Sequence, residues 1–151
     1  MEAFKVMEQK GIDILAIQET KTDKPERTRK YCIHQVPASN KNSTKFWSSG
    51  QLLIYKKDLI IVKDTHNSTE HINVHNLMYT EEEVLLKLIS VYGQPNKRKS
   101  IMTRLIALQN KFLRTEAGVK TVILGDLNLD FESDKGPAQQ VMRDLTNLNF
   151  K

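Results

Sequence analysis

The sequence predicts an α/β (α+β-like) domain, built as a two-sheet β-sandwich flanked by helices. Near-continuous aliphatic runs, "IDILAIQ" at Ile12–Gln18 and "TVIL" at Thr121–Leu124, read as strands buried on both faces. Between them "QLLIYKK", "LIIVKDT", "HINVHNLMY" and "EEVLLKLISVY" are separated by short polar breaks, the pattern of antiparallel neighbours. Helical periodicities stand before, among and after these strands. Strands buried on two faces need cover on two sides, and stacked sheets with helices outside supply it.

Glu2–Lys10 spaces Ala3, Phe4, Val6 and Met7 for an amphipathic helix that stops at Gly11. The first strand follows, then a charged loop over Lys21–Lys30 and a short strand over Tyr31–Val36. Pro37–Thr44 is polar and rich in turn residues. After the β-rich middle, Ile101, Leu105, Ile106, Leu108, Phe112 and Leu113 mark one face of a helix over Ser100–Arg114. Pro137–Leu145 reads as a last helix with proline in its first turn.

At 151 residues the chain has room for one domain. No run approaches the ~20 apolar residues of a bilayer span, and no early apolar segment suggests secretion. A single cysteine, Cys32, cannot close an internal disulfide. The expectation is an intracellular protein, nuclear or cytoplasmic, with no membrane partner. Asn-x-Ser/Thr triplets at Asn42 and Asn67 then carry little weight. A net charge of +5 leans toward polyanionic partners.

"VILGDLNLDF", Val122–Phe131, ends a strand on Gly125, Asp126 and Asn128. Glycine admits backbone or ligand closely, and residues two apart on an extended chain point the same way. A carboxylate and an amide would thus face one spot. Glu19 ends its own strand similarly, and hard cations such as Mg²⁺ choose carboxylate oxygen while keeping several waters. In "ISVYGQPN" another strand ends on Tyr92, ahead of Gly93, Pro95 and Asn96. Tyr92 could donate a hydrogen bond to a phosphate oxygen.

"DILAIQETK", "ISVYGQPN" and "VILGDLNLDF", in this order, resemble the endonuclease/exonuclease/phosphatase superfamily. The likeness is to its branch of exonuclease III, apurinic-site endonucleases and retrotransposon endonucleases, and covers roughly Gly11 to Asp130. "SSGQLLIYKK" is similar to the strand after the substrate loop, with Gly50 as its glycine. The resemblance implies that Glu19 binds Mg²⁺ (or Mn²⁺) and that Tyr92 contacts the scissile phosphate. It implies that Asp126 orients or deprotonates the attacking water, and that Asn128 holds the phosphate, with Gly125 making room for it. The function implied is Mg²⁺-dependent phosphodiester hydrolysis, with duplex DNA as partner.

Lys21, Lys24, Arg27, Arg29 and Lys30 follow Glu19, while Asn96, Lys97, Arg98 and Lys99 follow Tyr92. Together they would form a basic, phosphate-binding rim that holds a backbone without reading bases. His71 and His75 are four apart, but Ile72 and Val74 alternate with them as in a strand, so the pair does not make a zinc site.

The family's first-strand asparagine and terminal Ser-Asp-His have no counterpart here, and His34, His66, His71 and His75 all precede Asp126. The resemblance therefore implies one partial domain over 1–151, with sheets incomplete at both ends and reduced or no activity for the isolated chain. Exposed sheet edges would then favour a complementing chain or self-association. Two rival readings are a phosphatase of the same superfamily and a non-catalytic nucleic-acid-binding remnant of a mobile-element endonuclease.

Overall fold

In the computed structural model the described residues are 2–20, 28–36, 50–58, 60–66, 69, 71–79, 85–115, 119–128, 136, 139, 140, 143 and 146. Of residues 61–66 and 95 only the backbone is described. One compact unit takes Met1–Tyr92 with Lys120–Gly125, and another takes Gly93–Val119 with Asp126–Lys151.

In the first unit, α1 (Glu2–Lys10) precedes β1 (Ile14–Gln18), β2 (Tyr31–Val36) and β3 (Gln51–Lys56). These strands form a sheet in the order β1-β3-β2, antiparallel throughout. The β-rich middle continues as β4 (Ile60–His66), β5 (Ile72–Tyr79) and β6 (Leu85–Tyr92). With β7 (Lys120–Asp126), they make a second sheet in the order β4-β5-β6-β7. The β4–β5 ladder carries a bulge between Val62 and Asp64, and β5 runs antiparallel to β6.

Strand alternation sorts the core into two layers. On the outer face of the three-stranded sheet, Leu15, Ile17, Ile33 and Ile54 pack with Ala3, Phe4 and Met7 of α1. The rings of Phe4 and Tyr31 stack there at 5.3 Å. On the inner face Ile14, Ala16, Leu53 and Tyr55 meet Leu77, Tyr79, Leu86, Leu88 and Leu124 of the other sheet. This is the two-sheet sandwich, with a helix on the outside.

Double burial falls on a different strand from the two that the aliphatic runs indicated. The inner strand β6 is buried from Lys87 through Tyr92. By contrast β7 stands at the end of its sheet, and Val122 is 37% exposed. Every residue of β1 is only half-buried. Aliphatic composition marks strand preference, whereas burial depends on place in the sheet order.

In the second unit Pro95–Lys97 forms a 3₁₀ turn that leads directly into α2 (Arg98–Thr115). The helix starts ahead of the Ser100 expected from periodicity, because the turn already sets a helical backbone at Arg98. Ile101, Met102, Leu105, Leu108 and Phe112 are buried along one face. Of the helix expected over Pro137–Leu145, Gln139, Gln140 and Arg143 are described and are helical.

Candidate functional site

The inner layer of the sandwich changes character along its length. At one end it is aliphatic and aromatic. At the other, the inward positions are Gln18, His34, Gln51, Asn73, His75, Ser90 and Tyr92, which share register and parity with the apolar ones. Gln18 Nε2 donates to Ser90 Oγ at 3.3 Å, and Ser90 Oγ donates to Gln51 Oε1 at 2.8 Å. The two sheets are therefore joined here by hydrogen bonds as well as by apolar contact.

His34 and His75 meet edge to face across this layer, ring centres 4.9 Å apart. Burial pushes the His75 pKa down to about 4, with the neighbouring His34 charge contributing less. Burial also lowers the His34 pKa. Both rings are held neutral, as a buried imidazole without a carboxylate partner must be.

Continuing the inward parity of β6 by one step beyond Ser90 gives Tyr92, and continuing β1 past Gln18 gives Glu19. The structure brings these two together: the buried Tyr92 hydroxyl donates to Oε1 of the exposed Glu19. The Tyr92 ring lies 6.2 Å from His71, tilted by 31°, and Tyr92 N–H donates to the His71 carbonyl at 2.8 Å. A phenol carries one proton. Here it goes to Glu19, so Tyr92 orients that carboxylate in the arrangement seen, where the motif implied a phosphate contact.

Of the two neighbours expected at Gly125, backbone or ligand, the structure shows backbone. A Cβ there would overlap the carbonyl oxygen of Val91, and its φ is +146°. The glycine lets β7 approach β6; the neighbour is backbone.

In the second unit the residues after β7 form a tight turn. Asp126 is exposed, and its Oδ1 accepts the Asn128 backbone N–H at 2.7 Å. Asn128 has a φ of +50°, so the extended-chain argument for paired side chains stops at Asp126. The Gly93 N–H donates to the Asp126 carbonyl at 2.6 Å, and a Cβ on Gly93 would overlap Leu127. Arg98 Nη2 donates to the Asn128 carbonyl.

The expected basic rim is distributed unevenly. Lys21, Lys24 and Arg27 lie outside the described residues. Lys30 pairs with Glu8 of α1 at 3.0 Å, which raises its pKa. Asn96, Lys97 and Lys99 are exposed, while Arg98 is half-buried and engaged with the turn. Motif reading misses Gln18, Gln51, Asn73, Ser90 and the histidine pair. Their signal lies in the alternation of "HINVHNLMY" and "LISVY", where polar residues recur two apart.

Solved proteins of the endonuclease/exonuclease/phosphatase family superpose on most of the chain, which shares their fold. The human Nocturnin catalytic domain matches at a TM-score of 0.63 and 15% identity, over 95% of this chain and 59% of its own. The endonuclease domain of TRAS1, a telomere-specific non-LTR retrotransposon, gives 0.64 and 18%, over 97% and 63%. A mannosyl-6-phosphatase from Bacteroides thetaiotaomicron gives 0.63 and 11%, over 92% and 60%. The chain thus spans about three fifths of the length of these structures. At such identities the likeness establishes the fold alone. No family profile matches the sequence, and no curated sequence does.

Proposed function

We propose that the chain is a Mg²⁺-dependent phosphoric-ester hydrolase of nuclease type, acting on duplex DNA. The observation that carries this reading is the Tyr92–Glu19 hydrogen bond at the polar end of the inter-sheet layer. It fixes an acidic side chain at a strand end, where a buried core gives way to solvent.

The donor set fits Mg²⁺ in particular. Glu19 is an exposed carboxylate with one oxygen held by Tyr92. Among the described residues no cluster of three or more His, Cys, Asp or Glu could form a closed cage. A hard cation that keeps several waters and completes its shell with phosphate suits a single carboxylate. Glu19 would hold the ion, which when bound would neutralise charge on the phosphoryl oxygens.

Residues of the turn would take the roles that the family resemblance implies for them. Asp126 is anchored through Oδ1, which leaves its second oxygen to take a proton from the attacking water. The Asn128 side-chain amide can donate to a phosphoryl oxygen as charge builds there.

A nicking assay on plain and abasic duplex DNA tests this. Cleavage should require Mg²⁺, and Asp126→Ala should reduce it by about 10²–10³. Equal cleavage by Glu19→Ala and the unaltered chain would refute the assignment. The similarity to a mannosyl-6-phosphatase favours monoester hydrolysis as a second reading. Turnover of small phosphate monoesters with none of DNA would select it. DNA binding without turnover of either substrate would select the non-catalytic reading.

A further inference from the structure

Arg98 sits in a run of three basic residues, yet it differs from its neighbours. Lys97 and Lys99 are exposed, whereas Arg98 is half-buried and its guanidinium donates to the Asn128 carbonyl. The turn that receives it is held at further backbone points. Gly93 N–H binds the Asp126 carbonyl, and the Asp126 carboxylate binds the Asn128 N–H.

Asn128 also has a left-handed backbone, with φ of +50°. Asparagine tolerates this region better than most residues, but it remains the less populated choice and persists where neighbours enforce it. The Asx-type bond closes the turn from its N-terminal side. The only bond described to its C-terminal carbonyl comes from Arg98.

We propose that Arg98 is a positioning residue that clamps the Asp126–Asn128 turn, and that it does not serve as a phosphate contact in the basic rim. This inference deepens the hydrolase reading and rests on it. A charged donor on a carbonyl is stronger than a neutral one, and the planar fork of arginine holds its direction where an ammonium would not. The clamp sets the angle from which Asp126 and the Asn128 amide address a substrate, without Arg98 touching that substrate.

The test compares Arg98→Met and Arg98→Lys with a Lys97→Ala/Lys99→Ala double variant in the full chain. Hydrogen exchange is read at the Asn128 amide, with Ile54 in β3 as a global control. Arg98→Met should speed exchange at Asn128 by about tenfold or more, the loss of one charge-assisted bond, and leave Ile54 unchanged. Arg98→Lys should fall between it and the unaltered chain, and the double variant should match the unaltered chain.

In the nicking assay, Arg98→Met should lower kcat while KM stays constant, since the contact is to the turn and not to DNA. Unchanged exchange at Asn128 in Arg98→Met would overturn the clamp, as would a rise in KM alone. A parallel rise at Ile54 would also overturn it, showing a general loss of stability. If the unaltered chain hydrolyses nothing, the hydrolase reading fails, and the exchange comparison decides the clamp by itself.

Discussion

Glu19 and Asn128 are the non-glycine residues with positive φ among the described residues, at +52° and +50°. Both belong to the motifs that carry the family resemblance. For an L-residue the left-handed region costs roughly 1–2 kcal/mol, so the fold holds Glu19 in place against its local preference. That cost can be isolated. Glu19→Ala and Glu19→Gly remove the same carboxylate and the same Tyr92 hydrogen bond, and differ only in backbone freedom. The glycine variant should be the more stable by about 1 kcal/mol in urea unfolding, with Mg²⁺ affinity weakened equally in both. Equal stabilities would contradict a left-handed Glu19. At this scale the sequence was legible where a strand ended on a charged residue. It offered backbone or ligand as the neighbour of Gly125, but could not name the Val91 carbonyl, which lies on a different strand. It was silent on where the Tyr92 proton goes, which needs both sheets in place.

Among the elements, strand identity could be read well and strand burial poorly. Periodicity located each strand, but the end position of β7 comes from sheet order, which no window of residues contains. The same limit hid the polar end of the inter-sheet layer, because His34 and His75 lie on β2 and β5 of different sheets. Their burial makes stability depend on pH. An unfolded histidine takes up a proton near pH 6.5, whereas folded His75 waits until about 4. Between these values the unfolded chain binds more protons, so stability falls as pH drops from 6.5 to about 4. The loss from His75 should total roughly 3 kcal/mol, with His34 adding in the same direction. Denaturant midpoints measured across this window should decline steadily, and His75→Gln should flatten most of the slope. An unchanged slope in that variant would show that the proton uptake lies elsewhere.

For the whole molecule, the +5 charge gives a third expectation. If the chain binds duplex DNA through its backbone, log affinity should fall linearly with log salt, with about −0.9 for each phosphate neutralised. Replacing Lys97 and Lys99 with alanine should make that slope shallower, by the same amount for each phosphate the variant leaves unneutralised. A slope that does not move would assign both lysines to solvent. The fold was legible at this level because ordered motifs and strand alternation agreed. The rim needs more than sequence order, because basic residues close in sequence need not share a face: Lys30 pairs with Glu8, and Arg98 with the turn.

The close backbone approaches at Gly93 and Gly125 bear on how a deep mutational scan of this chain would be read. Every side chain at these positions overlaps a main-chain atom, so under the proposed hydrolase reading a screen scored on hydrolysis alone would rank them beside Glu19 and Asp126. The resulting map would show an apparent catalytic hot spot made partly of residues that touch no substrate. Scoring cellular abundance alongside activity separates the classes. The glycines should be depleted in both channels, whereas the carboxylates should be depleted in activity and keep their abundance.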